Sequence, residues 1–140
     1  MDHNSISLNV MYENDMKFIG KNHSGHSIVV EPCAGLGGSG NSPDPMDYLL
    51  VALGSCTGMK VLRGLSKRGA RADSLEISIT GNQREIPPTI LEKLHVTFSL
   101  GGKLDKTMAD DVIHEAMTNC PVALLMSKAT TVTWECQTGI

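Results

Sequence analysis

Asp44-Pro45 opens a stretch in which Leu49, Leu50, Leu53, Met59, Val61, Leu62 and Leu65 recur as far as about Arg68, and Gly69 ends it. Aspartate is a good N-cap. Proline suits the first helical position, and Asp47 adds an acid to the positive end of the helix dipole. Glycine just past the last periodic residue is the usual terminator. The pattern predicts one helix of roughly 24 residues, about 36 Å long. Its first half is apolar nearly all round, which predicts a buried helix rather than an amphipathic surface one. Gly54, Ser55 and Gly58 weaken helix propensity, and their presence suggests close approach by another backbone around Cys56.

Strand periodicity accounts for most of the rest. "SISLNVMY" (5–12) alternates with period two, and a turn at Glu13, Asn14 and Asp15 follows. "MKFIGKN" and "HSIVVEP" read as two short strands separated by the Ser24-Gly25 turn. "CAGLGGSGNSPDP" (33–45) is a loop long enough to be mobile. "SLEISITGNQ" sets Leu75, Ile77 and Ile79 on one face, "KLHVTFSL" sets Leu94, Val96, Phe98 and Leu100 on one face, and Pro87-Pro88 lies in the connection. These two read as an antiparallel hairpin. Residues 105–118 predict a helix with Met108, Val112, Ile113, Ala116 and Met117 inward; Pro121 starts another to about Lys128, and "TTVTWECQ" closes the chain as a strand. Strands, helix, strands, helices, strand is the order of an α+β fold with an antiparallel sheet and helices on one face.

At 140 residues the expectation is a single domain, 1–140. A hydrophobic content of 41% and charged content of 19% suit a folded protein, and a net charge of −3 gives no reason to expect nucleic acid. Arg63, Lys67, Arg68 and Arg71 read as a solvated helix end, where cations suit the dipole. Apolar runs such as Tyr48 to Leu53 fall far short of the ~20 residues a bilayer span requires, so no membrane partner is expected. "MDHNSISLNV" carries an acid and no apolar signal core. Four cysteines (Cys33, Cys56, Cys120 and Cys136) without a secretory signal argue for a reducing compartment, with the cytoplasm as the default.

A peroxide-reducing site needs an accessible thiolate, a neighbour that stabilises its charge, and a second thiol to resolve the sulfenic acid. Cys120 stands directly before the proline that opens a helix, the N-cap position, where unpaired N–H groups favour an anion. Cys56 has Leu49, Ala52 and Leu53 one and two turns back, an apolar setting that raises a thiol pKa, and only Lys60 one turn on to offset it. The residues alone leave two readings open: an apolar wall that receives an apolar hydroperoxide, or two buried thiols that merely fill a core. Cys136, in line with Val132 and Trp134, reads as core, and Cys33 as incidental. His23, His26 and Cys33 have loose spacing with no second pair, so no metal site is expected. His95 and His114 read as surface residues.

"SPDPMDYLLVALGSCTGMKV" resembles the first signature of the OsmC/Ohr family, the osmotically inducible and organic hydroperoxide resistance proteins, and "NCPVALLMSKA" resembles the second. The likeness in element order runs from residue 5 to residue 136. It implies an OsmC-like fold in an intertwined homodimer, with long central helices wrapped by sheets and active sites at the subunit interface. It also implies thiol peroxidase chemistry without a cofactor. Cys56 would be the peroxidatic thiolate and Cys120 the resolving thiol. An organic hydroperoxide would be the substrate, and a dithiol, such as a lipoyl group, the reductant.

Two positions depart from the family pattern. Peroxidases of the family hold the thiolate with an arginine from the N-terminal strand region; "NDMKFIGKN" has Phe18 there with Lys17 beside it, and no arginine precedes Arg63. The partner glutamate's place is Met46, with Asp47 one residue on. Lys17, Asp47 and Lys60 are the candidate charge partners, although a lysine is a point charge and cannot reproduce a planar bidentate clamp. The chain therefore resembles an OsmC-like branch lacking the usual arginine. Two alternatives to the peroxidase are a non-catalytic stress protein binding a small apolar ligand at the dimer interface, and a thiol redox sensor.

Overall fold

A computed structural model describes residues 4–140; the acidic start at Asp2 lies outside the described residues. They divide into two compact units, one ending at Leu49 and one of Leu50–Ile140.

In the first unit, β1 (Leu8–Asn14), β2 (Lys17–Asn22) and β3 (Ser27–Val30) form an antiparallel sheet in that order. The first turn falls later than the sequence suggests. β1 continues through Glu13 to pair Asn14 with Lys17, and Asp15 takes the left-handed conformation at φ 47°. Gly25, at φ 88°, makes the second turn. The loop that follows is not slack. The Glu31 carboxylate accepts hydrogen bonds from the Ser39 N–H at 3.0 Å and the Ser39 hydroxyl at 2.6 Å, and Glu31 is buried. These bonds hold its pKa down at about 2. Gly38 permits the closure, since a Cβ there would lie 1.7 Å from the Pro32 carbonyl oxygen. A short 3₁₀ turn, Ala34–Leu36, occupies the start of the loop. The Tyr48 hydroxyl then donates to the Val29 carbonyl at 2.6 Å, tying the first helical turn to β3.

α1 (Pro45–Lys67) starts where the sequence places it. Asp44 and Asp47 cap it reciprocally: the Asp47 N–H donates to the Asp44 carboxylate at 2.9 Å, and the Asp44 N–H to the Asp47 carboxylate at 3.1 Å. The expectation that the apolar first half is buried fails, since Leu49 and Val51 there are exposed. Only Leu53, Gly54, Thr57, Gly58, Val61 and Leu65 are buried, whereas Val51 and Met59 are 63% and 62% exposed. By length and composition α1 also meets the test for a membrane-spanning helix, contrary to the estimate from short apolar runs. A core helix meets the same test, and the buried stripe of α1 docks on protein.

In the second unit, β4 (Ser74–Gln83), β5 (Leu91–Gly101) and β6 (Thr131–Thr138) form a sheet in that order. β4 and β5 pair antiparallel as expected, but β5 and β6 run parallel. The reason is the connection: α2 (Lys106–Asn119) and α3 (Pro121–Ser127) lie between them, and a crossover of that length returns the chain in the same direction. Phe98, Val96, Leu94 and Leu100 of β5 are fully or almost fully buried with Leu53, Val61 and Leu65 of α1 and Val112 and Ile113 of α2. The glycines of α1 let it settle on this core. A Cβ at Gly58 would lie 2.8 Å from Ile77 Cδ1, and one at Gly64 2.8 Å from Val112 Cγ1. The close approach at Gly54 and Gly58 is thus made by the β4 side chains Ile79 and Ile77, not by a backbone.

Candidate functional site

Cys56 sits mid-way along α1 and is half-buried; Cys120 lies at the junction of α2 and α3 and is fully buried. The junction is fixed from both sides. The Cys120 N–H donates to Ala116 O at 2.9 Å to close α2, and the Cys120 carbonyl accepts from Leu124 N at 2.9 Å to open α3. Pro121, at N1, bends the chain there without sacrificing a hydrogen bond. The result brings the two remote sulfurs together: the Cys120 thiol donates to Cys56 Sγ at 2.8 Å. Neither is in a disulfide.

The hydrogen bond with the Cys120 thiol and then burial push the Cys56 thiol above its ordinary value. Two groups oppose that rise, the backbone N–H of Val122 and the charge of Lys60. The first was not foreseen. The N-cap geometry of Cys120 suggested that the N–H groups of α3 would serve Cys120's own sulfur, yet that side chain makes no cap hydrogen bond. The Val122 N–H favours Cys56 instead. Pro121 at N1 was the available signal, because it marks Val122 as a first-turn residue whose N–H has no intrahelical partner.

The other candidates separate clearly. Lys60 is the candidate whose charge opposes the rise at Cys56. Lys17, on β2, forms an ion pair with Glu13 at 3.7 Å. Asp47 is engaged in the α1 cap. Cys33 is exposed. Cys136 is half-buried rather than sealed in the core; burial pushes its thiol up, with Asp110 adding to the rise and Lys106 opposing it. His95 Nδ1 lies 2.7 Å from the Thr133 hydroxyl, and His114 tilts against Trp134 with ring centroids 6.0 Å apart.

Two of the recesses along α1 in the second unit span its middle and second half. An open, almost wholly apolar groove of about 590 Å³ lies against β4, lined by Val51, Gly54, Met59 and Leu62 with Leu75 and Ile77. A more polar cleft of about 270 Å³ lies against α2, with Lys60, Arg63 and Lys67 on one wall and Glu115 and Asn119 on the other.

Residues 38–135 match the family model described as OsmC-like protein. The chain belongs to the OsmC-like family. Protein YhfA of Escherichia coli strain K12 is 30% identical over 131 residues, covering 91% of this chain and 94% of that protein. Among solved structures, an OsmC-like protein from Mycoplasma pneumoniae superposes with a TM-score of 0.84 at 12% identity, covering 100% of both chains. An organic hydroperoxide resistance protein from Elizabethkingia anophelis gives 0.76 at 13% identity, covering 98% of this chain and 99% of that one. These two likenesses establish the OsmC-like fold; both cysteine motifs lie within the matched segment.

Proposed function

We propose that this OsmC-like protein is a thiol peroxidase that reduces organic hydroperoxides in the reducing environment of the cytoplasm. The observation that carries the reading is the 2.8 Å approach of Cys120 Sγ to Cys56 Sγ, with Cys56 the more accessible of the two. The Cys56 thiolate attacks the distal peroxide oxygen, the O–O bond breaks, and the alkoxide leaves as an alcohol after taking a proton. Cys120 then attacks the sulfur of the resulting Cys56 sulfenic acid and expels water, closing a Cys56–Cys120 disulfide. A dithiol reopens it. The Val122 N–H and Lys60 supply the stabilisation that the family's arginine gives elsewhere, consistent with their effect on Cys56.

The working unit in this reading is a homodimer. It is supported by the apolar groove on α1 and by the exposure of Val51, Met59 and Leu62 on one side of that helix, a surface that a second copy would cover.

Mass spectrometry after one equivalent of an alkyl hydroperoxide is expected to find the Cys56–Cys120 disulfide, and Cys56 left reduced would end the peroxidase reading. The raised Cys56 pKa leaves little thiolate and favours a second reading, a non-catalytic protein that binds a small apolar ligand in the groove on α1. Sustained peroxide consumption with a dithiol donor excludes it.

A further inference from the structure

On α1, Cys56, Lys60, Arg63 and Lys67 stand at i, i+4, i+7 and i+11, which places them in one arc of about 60°. The stripe starts mid-helix, so it is not simply the cationic last turn that complements a helix dipole. The three cations form one wall of the 270 Å³ cleft against α2. The facing wall offers one carboxylate, Glu115, and Arg68 already holds it at 2.7 Å. Among the described residues none of Lys60, Arg63 and Lys67 forms an ion pair, although Lys67 contributes to lowering the Glu115 pKa. A chain of net charge −3 thus carries, starting one helical turn from Cys56, a cleft with three cations against one occupied anion.

We propose that this cleft binds the carboxylate of the reductant, so that the protein selects an anionic dithiol to reopen its disulfide. The inference rests on the disulfide reading above. Lys60 and Arg63 lie about 6 and 10 Å along the helix from Cys56, within reach of a carboxylate on a short chain whose sulfur is at Cys56. The cleft is a poor place for a long alkyl hydroperoxide: of its lining side chains only Val112 and Ala116 are wholly hydrocarbon. In the reaction, one thiolate of the dithiol attacks Cys56 Sγ, the Cys56–Cys120 bond breaks, and Cys120 leaves as a thiolate that takes a proton. The second thiol of the donor, deprotonated, attacks the mixed disulfide and expels Cys56. The donor leaves as its cyclic disulfide, and two cysteine thiols are restored.

Dihydrolipoate and dihydrolipoamide test this cleanly, since they share the same dithiol and differ in a distant carboxylate or amide. The full-length protein is oxidised either with an alkyl hydroperoxide or with diamide, which closes the disulfide without any peroxide. Reduction is then followed by quenching with maleimide and mass spectrometry. At low salt the carboxylate form is expected to react about tenfold faster, an advantage that shrinks as salt screens it. In Arg63→Gln/Lys67→Gln the acid-to-amide ratio falls towards one, and in Arg63→Glu/Lys67→Glu it inverts. The ratio is internal to each variant, so partial loss of folded protein does not disturb it. Equal rates in the unsubstituted protein, or a preference that survives charge reversal, would overturn the proposal and leave the peroxidase intact. A preference seen with diamide-made disulfide alongside no oxidation by peroxide would instead sink the peroxidase and keep the cleft. Charge discrimination between a carboxylate-bearing hydroperoxide and its methyl ester, with none between the two dithiols, would assign the cleft to the oxidant and refute it as the reductant's site.

Discussion

Oxidation should stabilise this protein by an amount that follows from where its two sulfurs lie in the chain. Cys56 and Cys120 are 64 positions apart and already side by side in the reduced fold, so closing the bond constrains a long loop in the unfolded chain. Loop-closure entropy for a ring of that size is worth about 4 kcal/mol at 25 °C. For a chain of this length each kcal/mol moves the melting temperature by roughly 2–4 °C, giving an upward shift of about 10–15 °C. Differential scanning calorimetry of reduced and oxidised protein at one protein concentration measures it directly, with non-reducing mass spectrometry confirming that the bond is quantitative. A fixed concentration matters because self-association would itself move the midpoint. The Cys56→Ser and Cys120→Ser variants should show no shift on oxidant treatment. A quantitative disulfide with an unchanged or lowered midpoint would mean that the bond distorts the fold, and the paired-thiol geometry would be wrong.

Removing the Cys120 thiol should make Cys56 more reactive, because its neighbour is the largest cause of the raised pKa; Cys120→Ala is expected to accelerate iodoacetamide labelling of Cys56 at pH 7.5. An unchanged rate would show burial, the second cause, to dominate. Cys56 and Cys136 both have folded pKa values above the ordinary thiol value of 9.0, so the folded state holds more protons there. The reduced protein should therefore lose stability as pH rises through and beyond that value, and urea titrations across alkaline pH check the sign. The opposite sign applies to Glu31: its pKa falls from 4.5 to about 2, so its contribution is complete above 4.5 and vanishes as pH drops towards 2. Limited proteolysis should find the 33–43 loop cut faster at the acid end of that window, and in Ser39→Ala at neutral pH. Met59→Glu places a charge on the exposed apolar side of α1 and should shift the protein towards monomer in analytical ultracentrifugation; an unmoved dimer would place the interface elsewhere.

Much of the fold could be read from local chemistry. The Asp44-Pro45 start of α1 and its first-turn acid are cap signals, and the alternation in β4 and β5 is unambiguous because one face is buried. What eluded the sequence depended on contacts between distant segments. Composition around Leu49 to Leu53 says that the residues are apolar, not which of them find a partner, so the exposed side of α1 was invisible. The parallel return of β6 follows from two helices being packed between β5 and β6, whereas an alternating strand has no intrinsic direction of pairing. Glu31 and Ser39 looked like ordinary loop residues, since nothing local announces a carboxylate clamped eight positions away. At the site, both cysteines and Lys60 were legible. The juxtaposition of the sulfurs came from resemblance alone, and the Val122 N–H required the actual bend between α2 and α3.

α1 reconciles these partial successes, because from Val51 onward it carries three faces about 120° apart. One, with Leu53, Thr57, Val61 and Leu65, is buried against the core, and Gly58 lets it come close to β4. A second, with Val51, Met59 and Leu62, is apolar and exposed. The third carries Cys56, Lys60, Arg63 and Lys67. A helix so divided reads as apolar nearly all round in its first half and cationic towards its end, yet neither description holds around the whole circumference. The division also accounts for the mid-helix place of Cys56, the sulfur proposed to react. Only there can a thiol meet the α2–α3 junction on one side while Lys60, one turn on, begins a charged cleft on the same face. Displacing the cysteine by one residue would turn it about 100° around the axis, into the core at Thr57 or onto the apolar side at Ser55. In the proposed reading the chemistry is set by helical phase, and the same phase puts the proposed self-association and the proposed charge selection on different sides of one helix.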